Sequence, residues 1–84
     1  MVQVSYKIKN EEGLHARPAS DLCKTAGRFK SEIMLLKDGE EYDAKSMLMV
    51  LCMGAAQGET IEIRASGSDE QEALDAVVET LDME

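Results

Sequence analysis

The 84-residue sequence is short of positive charge: it has 9 lysine and arginine residues against 17 aspartate and glutamate residues, a formal net charge of −8. A protein that binds nucleic acid needs basic side chains to displace counterions from the phosphates. The composition therefore argues against a nucleic-acid partner. An acidic chain with a few local cations instead favours protein partners, or one small anion held locally.

Long apolar runs are also absent. No stretch approaches the roughly 20 residues of a membrane-spanning helix, or the apolar core of a signal peptide. We therefore expect no membrane insertion and a cytoplasmic location. The length suits one small domain, residues 1–84, and leaves no room for a second.

Cysteine and histidine are scarce. Cys23 and Cys52 are the two cysteines, and neither they nor the single histidine show metal-ligand spacing. We therefore expect no metal and no other cofactor. Each cysteine lies in an apolar helical stretch, which predicts reduced thiols within the core.

The only histidine and the only proline, His15 and Pro18, lie in the same segment, Gly13–Ser20. Apolar residues then recur at helical spacing and Gly27 follows, which predicts a helix over about residues 16–26. Pro18 is tolerated in the first turn because the amides there have no intrahelical partner. His15 should therefore lie beside free amides at the positive end of a helix, where anions bind readily.

Arg17 adds a forked guanidinium suited to phosphate oxygens. The imidazole of His15 and the first turn, Ala16, Arg17 and Pro18, together form a candidate nucleophile with a phosphate-binding site. A lone histidine near a helix start is more often an ordinary polar residue. The residues alone leave both interpretations open.

Alternating apolar and polar residues predict strands over residues 2–8 and 60–65, and residues 32–37 and 40–44 are predicted to form two further strands joined by Asp38-Gly39. Val2, Val4, Tyr6 and Ile8 form the expected buried face of the first strand. Asp38-Gly39 predicts a tight hairpin turn between the second and third strands. The segment Gly67-Ser68-Asp69 is expected to end the fourth strand and to cap a last helix over about residues 70–81.

The apolar run over residues 47–53 suits either a strand or a short helix. We favour the helix because Ser46 is a good N-cap and Gly54 a good C-cap. Its residues Met47, Leu48 and Leu51 share one face, which is either core or a docking patch. The element order βαββαβα then predicts an α+β fold, a four-stranded antiparallel sheet with three helices on one side.

Two motifs resemble the HPr family, the histidine-containing phosphocarriers of the bacterial phosphoenolpyruvate-dependent sugar phosphotransferase system. Gly13-Leu14-His15-Ala16-Arg17-Pro18-Ala19 is similar to the family's phosphorylation-site signature. Lys45-Ser46-Met47, with Gly54 and Gly58, is similar to its regulatory serine at the start of a short helix. The resemblance covers essentially the whole chain and implies an open-faced β-sandwich.

The resemblance also implies a function. His15 would accept a phosphoryl group on its δ nitrogen from phosphorylated enzyme I, with Arg17 steadying it, and pass it to enzyme II domains such as enzyme IIA. The chain would then be a phosphoryl carrier rather than a stand-alone enzyme. HPr kinase/phosphorylase would phosphorylate Ser46, and a catabolite-control transcription factor is a further implied partner. The expected docking residues are Lys24, Met47, Leu48 and Leu51.

A carrier that visits several partners has reason to be monomeric, so we expect a monomer. The alternative within the family is a regulatory paralogue that acts in carbon catabolite control through phosphorylated Ser46 without sugar transport. The known regulatory paralogues lack the histidine, so His15 favours the carrier. A small hydrolase using His15 and a generic interaction module are two further alternatives. The sequence departs from the usual family pattern at Glu12, Gly27 and Met49.

Overall fold

The computed structural model describes residues 1–84 and contains four strands and three helices in the order βαββαβα. The elements are β1 (Val2–Lys7), α1 (Ala16–Ala26), β2 (Glu32–Lys37), β3 (Glu40–Asp43), α2 (Met47–Met53), β4 (Thr60–Ser66) and α3 (Glu70–Asp82). The predicted α+β fold is confirmed. The run over residues 47–53 is the short helix that its caps predicted.

The four strands form one antiparallel sheet in the order β1-β4-β2-β3, so that β1 and β3 are its edges. The hairpin between β2 and β3 turns at Asp38 and Gly39, whose φ angles are 53° and 82°. Two successive positive φ angles are what a two-residue hairpin turn of this twist requires. The Asp38-Gly39 prediction is confirmed.

The core lies between the sheet and the helices. Alternate residues of the two central strands are fully buried, among them Ile33, Leu35, Ile61 and Ile63, and Leu22 of α1 and Val77 of α3 are buried too. The period-two pattern of β2 and β4 therefore points one apolar row at the helices. Ala19 and Ala26 on α1, also fully buried, allow that helix to pack closely.

Two buried positions predicted from the sequence are exposed. Val4 is 37% exposed because it lies on edge strand β1, which pairs on one side only. Cys52 is exposed on α2, so the prediction of a core thiol is wrong for this residue. A seven-residue apolar helix cannot bury all its side chains, and here Val50 and Met53 face the core.

Asp69 occupies the N-cap position of α3, at the end of the segment predicted to cap this helix, but its side chain makes no capping hydrogen bond. Its carboxylate instead accepts hydrogen bonds from the backbone amides of Lys30 and Ser31, each at 2.9 Å, and from the Ser31 hydroxyl. These bonds, that of the Ser31 hydroxyl above all, lower the pKa of Asp69 to about 2. Asp69 thus ties the start of α3 to the segment between α1 and β2.

Candidate functional site

The segment that leads into α1 is fixed by its contact with the chain that follows α2. The amide of Leu14 donates a 2.9 Å hydrogen bond to the carbonyl of Ala55, and Leu14 is buried. Gly13 has a φ of 69°, and a Cβ atom there would collide with the backbone of Ala55 and Ala56. The position therefore requires glycine both for its φ angle and for this close approach.

His15 occupies the N-cap position of α1 in an extended conformation, with φ −89° and ψ −165°. Its carbonyl accepts a 2.9 Å hydrogen bond from the amide of Ala19, but its side chain makes no capping hydrogen bond. The imidazole is 39% exposed. The imidazole therefore lies at the start of α1, makes no hydrogen bond to the helix and is partly open to solvent.

The first turn of α1 offers two free amides beside His15. The amides of Ala16 and Arg17 donate no hydrogen bond, whereas Pro18 has no N–H and is buried. Unpartnered amides at a helix N-terminus carry partial positive charge and bind anions. The predicted start of α1 is confirmed, and His15 lies beside two unpartnered amides as the sequence led us to expect.

The guanidinium of Arg17 is paired with Glu84 rather than with His15. Nη2 of Arg17 lies 3.7 Å from Oε1 of Glu84, and the Arg17 side chain is 71% exposed. The Glu84 side chain is only 8% exposed, and its Oε1 has no hydrogen-bond partner. The contact is an ion pair without a hydrogen bond, which leaves the guanidinium free to move at little cost.

A second carboxylate, that of Glu12, faces the imidazole. Its Oε2 lies 3.8 Å from Nε2 of His15, and Glu12 is 75% exposed. The Glu12 amide donates a 2.9 Å hydrogen bond to the side chain of Asn10, which orders the turn. Glu12 and Glu84 are the two site residues that sequence reasoning did not assign. Only the departure of Glu12 from the family pattern pointed to one of them.

Ser46 caps α2 as predicted. Its side-chain oxygen accepts a 3.2 Å hydrogen bond from the amide of Met49. Gly54 ends the helix in the left-handed conformation, with φ 62° and ψ 35°. The Ser46 side chain is therefore part of the helix terminus, and the residue is half-exposed.

The predicted docking residues differ in exposure. Leu48 and Leu51 are 71% and 40% exposed, and Lys24 is exposed near the end of α1. Met47 is half-buried and packs against the core, so it contributes less surface than its position on the helix predicted. The apolar surface of α2 is thus made chiefly by Leu48, Leu51 and Met49.

No group of three histidine, cysteine, aspartate or glutamate side chains could hold a metal ion. Both cysteines are free. Burial, followed by the charge of Asp43, raises the pKa of the half-buried Cys23 thiol, which makes its reactive thiolate form less available. None of the three helices is both long and apolar enough to cross a membrane.

Comparison with known proteins gives one consistent result. Residues 2–82 match the family described as the PTS HPr component phosphorylation site. The HPr-like protein Crh of Halalkalibacterium halodurans is 38% identical over the full length of both chains. The crystal structure of HPr from Thermoanaerobacter tengcongensis superimposes with a TM-score of 0.94 at 40% identity, covering 98% of this chain and 92% of that one.

A third relative bears on the oligomeric state. The crystal structure of Crh from Bacillus subtilis, a catabolite-repression protein, matches with a TM-score of 0.79 at 35% identity, covering 99% of this chain and 95% of that one. It is described as a dimer with a swapping domain. The expectation of a monomer conflicts with this relative, since a chain of the same fold assembles in pairs.

Proposed function

Because this chain belongs to the HPr family of phosphocarriers, we propose that it carries a phosphoryl group on Nδ1 of His15, accepted from phosphorylated enzyme I. It then passes the group to enzyme IIA domains during phosphoenolpyruvate-dependent sugar uptake. The observation that carries the proposal is the exposed imidazole beside the two unpartnered amides of Ala16 and Arg17. The exchanges would take place in the cytoplasm.

The choice of nitrogen is supported by Glu12. A carboxylate 3.8 Å from Nε2 favours the tautomer with its proton on Nε2, because that proton then faces negative charge. The lone pair is left on Nδ1. In the transfer, this lone pair attacks phosphorus while the bond from phosphorus to the donor group breaks. The donor leaves with the bonding electrons, and the phosphoryl group is then attached to Nδ1.

The amides and Arg17 would hold the transferred group. Phosphoryl transfer asks the protein chiefly to position the group and to stabilise its negative charge. The pair of Arg17 with Glu84 lacks a hydrogen bond and is worth about 0–1 kcal/mol, whereas charge-assisted hydrogen bonds to a phosphate are stronger. Arg17 would therefore exchange Glu84 for the phosphoryl group when His15 is loaded.

Enzyme I and the enzyme IIA domains would dock on the α2 surface of Leu48, Leu51 and Met49, together with half-buried Met47, and exposed Lys24 of α1 would be a further contact. An exposed apolar surface of this kind is typical of a protein interface, and methionine can repack against different partners. Phosphorylation of Ser46 by HPr kinase/phosphorylase would add about two negative charges beside this surface. It would repel enzyme I and favour a catabolite-control transcription factor instead.

The second candidate function is a regulatory one, in which phosphorylated Ser46 acts in carbon catabolite control without sugar transport. The similarity to two Crh proteins favours it. The presence of His15 favours the carrier. The two candidates differ in which residue must be phosphorylated and by which donor.

One experiment separates them. The purified chain is incubated with phosphoenolpyruvate and enzyme I, or with ATP and HPr kinase/phosphorylase, and its intact mass is measured before and after acid treatment. A carrier gains one acid-labile phosphoryl group in the first reaction, and His15→Ala abolishes the gain. A regulatory paralogue gains an acid-stable group only in the second reaction, and Ser46→Ala abolishes it. No acid-labile gain with active enzyme I would refute the carrier function.

A further inference from the structure

The largest groove of the molecule lies away from His15, between edge strand β1 and helix α3. It has a volume of about 740 Å³. We call it the β1–α3 groove. Its floor is apolar and is formed by Val2, Val4, Leu74, Val78 and Met83. Helix α2, which carries the docking surface proposed above, packs against α1 and β3, and β3 is the opposite edge of the sheet. The two surfaces are therefore separate.

The floor of the β1–α3 groove is poorly covered. Met83 is 78% exposed. Val4 is 37% exposed, although it points to the same side of β1 as Tyr6, which is buried. Apolar surface left open in this way beside polar residues is typical of an interaction site.

β1 also has an open edge. Residues 2–7 pair with β4 on one side, and no strand pairs on the other. The outer N–H and C=O groups of an edge strand are a template for an added strand, and a neighbouring groove selects the alternate side chains of that strand. The combination of open edge and apolar groove therefore fits an extended segment.

The charge of the rim specifies the segment further. Asp75, Glu79 and Asp82 line the groove, and no lysine, arginine or histidine does. Asp82 is already engaged by Lys9 and Tyr6, but Asp75 and Glu79 form no ion pair. A second copy of this chain would bring the same acidic rim against this one. Asp75 accepts a hydrogen bond from Gln71, but neither it nor Glu79 has a cationic partner, so the two carboxylates complement lysine or arginine.

We propose that the β1–α3 groove binds an extended segment of a partner protein in which every second residue faces α3 and these positions carry both apolar and lysine or arginine side chains. The segment adds a strand to β1, its apolar side chains cover Val4 and Met83, and its basic side chains pair with Asp75 and Glu79. This surface is independent of the phosphoryl transfer proposed for His15.

The test uses the whole ¹⁵N-labelled chain and two soluble peptides of about ten residues. One repeats Val-Thr-Lys-Thr, so that valine and lysine lie on the same face of the added strand, and the matched peptide repeats Val-Thr-Glu-Thr. The valine–lysine peptide is expected to shift the amide signals of β1 and of residues 71–83 and to slow exchange of the outer β1 amides. The valine–glutamate peptide is expected to leave them unchanged.

Charge reversal on α3 supplies the matched variants. Glu79→Lys is expected to weaken binding about tenfold, because it places like charge against the peptide. Glu72→Lys, an exposed reversal on the same helix outside the groove, is expected to leave affinity unchanged. His15→Ala is also expected to bind normally, so failure here would not affect the carrier proposal.

Three results would overturn the proposal: equal binding of both peptides, no shifts at millimolar valine–lysine peptide, or shifts of β1 signals that grow with protein concentration alone. The last result would assign the groove to a second copy of this chain.

Discussion

Glu12 and His15 lie on the same side of the turn that leads into α1, with Oε2 of Glu12 3.8 Å from Nε2 of His15. The carboxylate thus faces the ring nitrogen that is not proposed to carry phosphorus. The distance is too long for a hydrogen bond, so the influence of Glu12 is electrostatic. Because both side chains are substantially exposed, solvent screens it.

The first prediction concerns the tautomer of the neutral imidazole. Glu12→Ala should lower the ratio of the Nε2–H to the Nδ1–H tautomer by about twofold, the effect of a screened interaction of roughly 0.5 kcal/mol. The ¹⁵N chemical shifts of the His15 ring measure this ratio. Glu11→Ala removes the neighbouring exposed carboxylate and should leave the ratio unchanged. Equal ratios in wild type and Glu12→Ala would show that Glu12 does not orient the ring.

The second prediction concerns the ion pair of Arg17 with Glu84. Arg17→Ala leaves the largely buried Glu84 carboxylate without its counterion and should lower the free energy of unfolding by about 1 kcal/mol. Adding Glu84→Gln should restore most of this loss, because no buried charge then remains. Urea denaturation of the two single variants and the double variant gives the coupling energy. Strictly additive effects would mean that the two side chains do not interact.

The third prediction concerns the backbone contact of Gly13 with Ala55. Gly13→Ala should lower the free energy of unfolding by about 2 kcal/mol or more, because it adds a collision to an unfavourable φ angle. Gly39→Ala is the matched control, since Gly39 also has positive φ but nothing lies within 4 Å of a Cβ atom there. It should cost about 1 kcal/mol. Equal losses in denaturant unfolding would remove the steric explanation.

The fourth prediction concerns pH. The pKa of Asp69 is about 2 in the folded protein, below its ordinary value of 3.8. A carboxyl group with a lowered folded-state pKa stabilises the fold above its unfolded pKa, and this contribution is lost as the pH falls through the folded value. Asp69→Asn should therefore lower the melting temperature at pH 7 by more than it does at pH 2.

Asp75→Asn is the control for that comparison, because the Asp75 carboxylate accepts only a side-chain hydrogen bond, from Gln71. Its effect on the melting temperature should be small at both pH values. A wild-type advantage over Asp69→Asn that is unchanged from pH 7 to pH 2 would contradict the assignment.

The fifth prediction separates the two roles of Ser46. Ser46→Ala removes the cap and should cost about 1 kcal/mol, whereas Ser46→Asp keeps a capping oxygen and should leave stability nearly unchanged. Ser46→Asp should nevertheless slow phosphoryl transfer from enzyme I, because it places negative charge beside the docking surface. Ser68→Asp, at an exposed serine outside that surface, should transfer at the wild-type rate. Collapse of the fold in Ser46→Asp would favour a capping role alone.

Much of the fold could be predicted because the decisive signals are local. Alternation in β1 and β4, the Asp38-Gly39 turn and the two caps of α2 each involve residues close together in sequence. These signals predict which element forms and where it ends. The N-terminal position of His15 followed from the same kind of signal, since Pro18 marks the first helical turn.

The properties that escaped prediction depend on contacts between distant segments. Val4 is exposed because β1 is an edge strand, and the alternation within one strand does not predict its place in the sheet. Asp69 accepts hydrogen bonds from Lys30 and Ser31, which are far from it along the chain. Glu84 meets Arg17 only because the end of α3 lies beside the start of α1. A local sequence pattern does not predict contacts between residues that are far apart in the chain.

The buried proline in the first turn of α1 sets the number of main-chain donors that the turn can offer. A phosphoryl group has three terminal oxygens, whereas the amides of Ala16 and Arg17 supply only two N–H groups because Pro18 has none. The remaining oxygen would depend on a movable guanidinium, on solvent or on a partner's side chain. A receptor protein could then supply the hydrogen bond that this turn does not provide. Because the turn holds only two of the three oxygens, the phosphoryl group would be easier to transfer.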